Sequence, residues 1–231
     1  QDRGVYLDAL TTNEDEGPSV EKMMELERQL VASTPEEAVA VSDSWIKRDY
    51  IANYIAVDRM IFNDDGIFHF YCYVPLGQGN NPGPCGNHNY YWYEQSDANK
   101  LWLIPWDMDI TFDFGFVVEI PMAWDEPYET CDIVYTDSAP VLPPSCDRLI
   151  NAWTTFQPEY KEAVGNLLEG PFSPEIVDGK LAIWEATMKD AVKEMHDHNP
   201  EHLSPSDWAS GIANLKAAVN DRRWKAANLI E

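Results

Sequence analysis

The side chains with most chemistry in them stand at the two ends of one stretch, residues 87–109. His88 and Asn89 precede the aromatic run 90–93, and Asp107 and Asp109 follow the apolar run 101–104. An amide and two carboxylates are hard oxygen donors, suited to Mg²⁺, Mn²⁺ or Ca²⁺ rather than to zinc. Between the runs, Ser96-Asp97-Ala98-Asn99 is a polar break, and two β-prone runs around such a break predict a hairpin. A hairpin closes its open ends on each other, so Asn89 and Asp107 are expected to be neighbours in space. Upstream, Asn63-Asp64-Asp65-Gly66 sits at the predicted end of a helix. Carboxylates there oppose the helix dipole and so are not placed for stability. One of them, ahead of the Asn in the chain, could accept a proton from an alcohol.

The elements that must position these residues are mostly helical. Val5-Tyr6-Leu7 reads as an extended lead. Ser19 can cap a helix whose apolar positions are Val20, Met23, Met24, Leu26, Leu30 and Val31. Thr34-Pro35-Glu36-Glu37 is a capping box with proline in the first turn, opening a second, shorter helix. From Asp43 the pattern Ile46, Tyr50, Tyr54, Val57, Ile61 predicts a strong helix that Gly66 would stop. A long loop, 67–86, precedes the hairpin, and an apolar, β-prone run, 110–120, follows it. Ser173-Pro174 and Ser204-Pro205 predict helices over 176–197 and 206–230, the last with Trp208, Ile212, Leu215, Val219 and Ala226 on its apolar face. Trp153, Trp184, Trp208 and Trp224 read as core. His196 and His198 lie two apart, on different faces of their helix, and read as surface residues rather than a metal pair.

Bulk properties narrow the function classes. In 231 residues, 40 acidic side chains against 16 basic ones give a net charge of −24, a field that repels nucleic acid and anionic membrane and favours cations or basic partners. No apolar run approaches the ~18 residues of a membrane span. The four cysteines form two local pairs, Cys72 with Cys85 and Cys131 with Cys146, inside Pro- and Gly-rich loops. Without C-x-x-C spacing they predict disulfides and an extracytoplasmic location, secreted or at the cell surface. Gln1 in place of Met suggests a processed or partial product. Glycoside hydrolysis by the Asp107 and Asp109 pair is the less favoured reading.

The run Tyr54-Ile55-Ala56-Val57, then Asn63-Asp64-Asp65-Gly66, His88-Asn89-Tyr90-Tyr91-Trp92-Tyr93, Ile104-Pro105-Trp106-Asp107-Met108-Asp109 and Phe114-Gly115 resembles the spore-coat protein H (CotH) family of atypical secreted protein kinases. The most specific segments are H-N-Y-Y-x-Y and I-P-W-D-x-D, and the motif-bearing part covers roughly 5–120. The resemblance implies a single α+β domain over 1–231, with a disulfide loop at 121–147 and a helical part at 148–231. It would be a mostly helical kinase-like C-terminal lobe, with a small β-hairpin region carrying the metal-site acids and the N-terminal lobe largely absent. By position, Asp65 matches the catalytic-loop Asp, Asn89 the metal-binding Asn and Asp107 the metal-binding Asp after the hairpin, with Asp109 its companion. What this implies is transfer of phosphate from ATP, with Mg²⁺ or Mn²⁺, to a Ser/Thr hydroxyl of a protein substrate or basic extracellular partner, and no nucleic acid. The alternative is an inactive extracellular coat, adhesion or structural protein that keeps the fold and a divalent-cation site. Three departures bear on the choice. The loop 68–86 lengthens the path from Asp65 to Asn89, the nucleotide-anchoring Lys would lie upstream of Gln1, and Thr11 stands where typical members carry Lys. Asp113-Phe114-Gly115 spells D-F-G but is out of register for the metal Asp and reads as coincidence.

Overall fold

The computed structural model describes residues 2–12, 17–73, 84–95, 97–112, 121–124, 131–135 and 140–231. Within them the chain forms a mostly helical α+β structure. It opens with α1 (Arg3–Asp8), α2 (Glu21–Ala32), α3 (Pro35–Trp45) and α4 (Arg48–Met60). The short strands β1 (Phe70–Cys72) and β2 (Cys85–Gly86) follow, then the hairpin β3 (Tyr90–Gln95) and β4 (Lys100–Pro105), and then β5 (Val134–Tyr135) and β6 (Pro140–Leu142). Four helices complete it: α5 (Arg148–Trp153), α6 (Gln157–Glu169), α7 (Pro174–His198) and α8 (Pro205–Ile230).

Local chemistry explains most of the boundaries. Thr34 and Glu37 exchange the two bonds of a capping box at the start of α3. Ser173 and Ser204 cap α7 and α8, each with proline in the first turn. Residues 5–7 are helical rather than extended, because the Asp2 carboxylate accepts the Gly4 N–H at 2.9 Å and starts α1. The predicted helix from Asp43 is two helices. Ile46 takes an extended conformation and is buried, which breaks the chain between α3 and α4 without proline or glycine. The inward face of α4 is also rotated by about one residue from the predicted stripe. Ile51, Ala52, Ile55, Ala56 and Met60 are buried, Tyr50 and Tyr54 pack at the margin, and Val57 is exposed.

That face of α4 lies against α6 and α8, while α3 packs on α5. Trp153, Tyr160 and Val164 fill the space between them and Leu101 and Leu103 of the hairpin. Trp153 is therefore core, but Trp184 on α7, which packs chiefly on α8, and Trp224 on α8 itself are exposed at 54% and 66%. The hairpin is in unbroken antiparallel register from Tyr90 opposite Pro105 to Gln95 opposite Lys100. The second sheet has the order β2-β1-β6-β5, antiparallel throughout. Cys72 faces Cys85 across β1 and β2 and is bonded to it, and Cys131 is bonded to Cys146. Of the predicted run 110–120, residues 110–112 are not strand and the remainder lies outside the described residues, as does Asp113-Phe114-Gly115. No helix among the described residues is long and apolar enough to cross a membrane.

Candidate functional site

The site begins at the C-terminus of α4, where the backbone turns sharply. Phe62 has φ 54°, a left-handed conformation that costs a bulky residue roughly 1–2 kcal/mol and must be held by its surroundings. A buried polar cluster does the holding. The Asn63 Nδ2 donates to Asp58 Oδ1 at 2.9 Å, and the Asn63 N–H returns to the Asp58 carbonyl at 3.1 Å. Arg222, from the far end of α8, donates to the Arg59 carbonyl and lays its guanidinium 5.3 Å from the Phe62 ring. Burial pushes the Asp58 carboxyl up to about 7, against the opposing pull of Arg59, the Asn63 hydrogen bond and Arg222. Gly66 is required here, since a Cβ would stand 2.5 Å from Asn63 Nδ2 and 3.1 Å from Asp58 Oδ1.

On this base stands Asp65. Its Oδ2 accepts the Asn89 Nδ2 at 2.7 Å, and its Oδ1 lies 2.5 Å from His88 Nε2. The two residues joined by the first bond are 24 apart in sequence. Between them in sequence, β1 and β2 are paired and joined by the Cys72–Cys85 disulfide, which holds together the two ends of the long separation between Asp65 and Asn89. Asp64 is buried beside them, with its carbonyl accepting the Tyr71 hydroxyl at 2.7 Å. Burial first, and the charges of Asp64 and Asp65 next, push the Tyr71 phenol upward.

At the other end of the hairpin, the Trp106 N–H donates to the Asn89 carbonyl at 3.0 Å and extends the ladder by one pair. Asn89 and Asp107 both take left-handed conformations, φ 60° and 49°, which Asn and Asp tolerate better than most residues. The chain then returns to α4, as the Phe112 N–H donates to the Ile61 carbonyl at 2.8 Å. Helix end, Asp65 loop, hairpin and the segment carrying Asp107 and Asp109 thus form one closed circuit. Asp107 and Asp109 are exposed, and neither has a hydrogen-bond or ion-pair partner among the described residues.

The donor chemistry fits a hard divalent cation. Asn89 commits Nδ2 to Asp65, which leaves its Oδ1 as an acceptor, and Asp107 and Asp109 add carboxylates. Among the described residues no three His, Cys, Asp or Glu side chains gather as a metal group. A cation that keeps several waters and binds through one or two carboxylates plus substrate phosphates needs no such cage.

Beside the site runs a cleft of about 1140 Å³ between the α1–α2 region and the hairpin. Tyr6, Thr11, His88, Asn89, Tyr91 and Trp106 are among its walls. Asp65, Asp107 and Asp109 are not. His196 and His198 are not among the residues that line the cleft. They end α7, and His196 Nδ1 contacts only the His202 carbonyl, at 3.3 Å, among the described residues.

Sequence reasoning missed the Asp58, Arg59 and Arg222 cluster and the pairing of His88 with Asp65. One signal for the first was present. Asp58 lies seven and three residues after the buried Ile51 and Ile55, a charged residue in phase with an apolar stripe.

A family model described as CotH kinase protein matches residues 3–225, well beyond the motif-bearing part and through most of α8. No curated protein and no solved structure matches the chain.

Proposed function

The chain belongs to the CotH kinase protein family, and from that membership we propose a secreted, atypical protein-kinase-like protein that transfers a phosphoryl group from ATP to a Ser/Thr hydroxyl, with Mg²⁺ or Mn²⁺. The observation that carries this reading is the Asn89 to Asp65 hydrogen bond at 2.7 Å. It joins the position matching the catalytic-loop Asp to the one matching the metal-binding Asn across an inserted loop, and it leaves the amide oxygen free for the cation. Asn89 and Asp107, with Asp109 alongside, would hold the metal. When bound, the metal neutralises phosphate charge as the transferring group develops it. The carboxylate of Asp65 fixes the amide of Asn89, and the hairpin ladder fixes where Asn89 stands relative to Asp107. The two disulfides support an oxidising, extracytoplasmic setting. The acid-rich surface, net −24, suits a basic protein substrate or partner.

One observation favours a second reading, an inactive coat, adhesion or structural protein that retains a cation site. Thr11, where typical members carry Lys, lines the cleft. The nearby Lys22 is committed to the carbonyls of Gln95 and Ala98 at the hairpin loop and cannot substitute for it.

Titration calorimetry with ATP and Mn²⁺ separates the readings. The kinase-like reading expects heat from the native chain and its loss in Asp107→Ala. Heat from Mn²⁺ alone but none from ATP favours the second reading, and silence to both ligands sinks both sites.

A further inference from the structure

Away from the candidate site, α7 and α8 pair with each other and leave most of α7 bare. Of the 25 residues of α7 only Leu181 and Val192 are buried, and the helix packs chiefly on α8, where Lys216 meets Asp178 at 2.9 Å. We propose that this bare face is a homodimer interface, on which a second copy of the chain packs its α7 antiparallel to the first about a two-fold axis at Thr187.

Three observations lead there. The first is an apolar stripe. At roughly 3.6 residues per turn, Ile176, Ile183, Trp184, Thr187, Ala191 and Met195 share one side of α7 over about 30 Å. Ile183 is 65% exposed and Trp184 54%, and Ile176 and Met195 are exposed beside them. A continuous apolar surface of this kind marks a contact. The second is charge. The chain carries −24, which opposes association of like copies, but residues 174–230 hold nine acidic and seven basic side chains. The α7–α8 pair is therefore a nearly neutral part of the molecule, where two copies can meet with little repulsion and a cationic partner finds little attraction. The third is self-complementarity. Lys180 lies seven residues before Thr187 and Glu194 seven after it, both on the side of the stripe. Both are exposed, and neither has a hydrogen-bond or ion-pair partner among the described residues, whereas Asp178 and Lys193 are paired with Lys216 and Asp197.

An antiparallel pairing centred on Thr187 sets Lys180 of each copy opposite Glu194 of the other, twice across the axis. It also sets the large Ile183 against the small Ala191. This is the condition a two-fold interface imposes, that one surface complement itself. The Thr187 hydroxyl donates to the Ile183 carbonyl at 2.8 Å, so the residue on the axis brings no unsatisfied donor into the contact. Two helix pairs joined in this way make a four-helix bundle, which covers the faces that each pair leaves open alone.

The test is sedimentation equilibrium of the full chain over a concentration series. It compares wild type, Ile183→Glu, Lys180→Glu, Glu194→Lys and the double exchange Lys180→Glu/Glu194→Lys. All three positions are exposed, so the variants should keep the wild-type circular dichroism spectrum. Wild type should approach twice the chain mass of 26.3 kDa. Ile183→Glu should remain a single chain. Each single charge variant should weaken association by about tenfold or more, because one exchange creates two like-charge pairs across the axis. The double exchange should restore association. An equimolar mixture of Lys180→Glu and Glu194→Lys should restore it too, since opposite charges then meet at both pairs. A single-chain mass for wild type up to about 0.1 mM overturns the proposal and leaves the face to another occupant. A dimer that survives Ile183→Glu, or charge variants rescued neither by the double exchange nor by mixing, overturns this face and this axis.

Discussion

The buried carboxylate beneath the site makes a quantitative prediction about stability. Asp58 is 2% exposed, its Oδ1 has one hydrogen bond, from Asn63, and its Oδ2 has none among the described residues. Burial raises it from an ordinary 3.8 to about 7 despite Arg59 and Arg222. Because the folded-state value lies above the unfolded one, the folded protein binds the proton more tightly. Between about pH 4 and pH 7 the unfolded chain therefore gives up this proton first, and stability falls as pH rises. At 1.36 kcal/mol per pH unit, the displacement from 3.8 to about 7 amounts to about 4 kcal/mol, a large fraction of a typical domain's 5–15 kcal/mol. Asp58→Asn is close in shape to the protonated acid and cannot ionise. It should match wild type below pH 4 and exceed it at pH 8 by as much as about 4 kcal/mol. The assay is urea denaturation from pH 4 to pH 8. The net charge of −24 also destabilises the folded state as pH rises, but it acts nearly equally on both proteins, so the difference between them isolates Asp58. A difference that stays flat across this range would refute the reasoning. It would mean that Arg59 and Arg222 hold Asp58 ionised throughout, as a salt-bridged acid.

Two further outcomes follow from the same region. Gly66→Ala sets a Cβ 2.5 Å from Asn63 Nδ2, and Asn63 is buried and bonded to Asp58. It should cost roughly 1–3 kcal/mol by breaking the Asn63 to Asp58 bond, read as a fall in thermal midpoint together with weaker ATP–Mn²⁺ heat. An unchanged midpoint would mean that the cluster is not what holds the loop. Burial, assisted by Arg59, pushes His69 down to about 3. Its folded-state value is depressed, so its stabilising contribution is present above the ordinary value of 6.5 and is lost as pH falls toward 3. His69→Gln should flatten the acid side of the stability profile, checked by the same denaturation series. A variant that loses stability in acid as steeply as wild type would contradict this.

These perturbations also mark where the sequence was informative. The hairpin was legible because alternation around a polar break is a local pattern, and its closure brought Asn89 beside the segment of Asp107 as the break required. Caps at Thr34, Ser173 and Ser204 were legible for the same reason, each residing within four residues. What stayed hidden depended on distant partners. Arg222 reaches Arg59 from 163 residues away, and no local pattern announces it. The break at Ile46 has no proline or glycine to signal it, and the burial of Ile46 that explains it is a tertiary fact. The Tyr50, Tyr54, Val57 stripe misled because the true inward face contains Asp58, and a charge counted as surface shifts the apparent phase of the helix.

The same separation applies to the site. Residue types at 65, 89, 107 and 109 could name a chemistry, but which group faces the cleft is decided by contacts that the chain makes only when folded. Asp65 has its oxygens turned to Asn89 and His88. A motif match therefore names the carboxylate without establishing which atom a substrate would meet. Position 88 is a case in point, since its adjacency to Asn89 in sequence gave no hint of its contact with Asp65, 23 residues earlier. If the Asn89 to Asp65 bond is what holds Asn89 in place, the effects of Asp65→Ala and Asn89→Ala should not add: the double variant should lose no more ATP–Mn²⁺ heat than the weaker-binding single one, whereas two groups acting independently would compound.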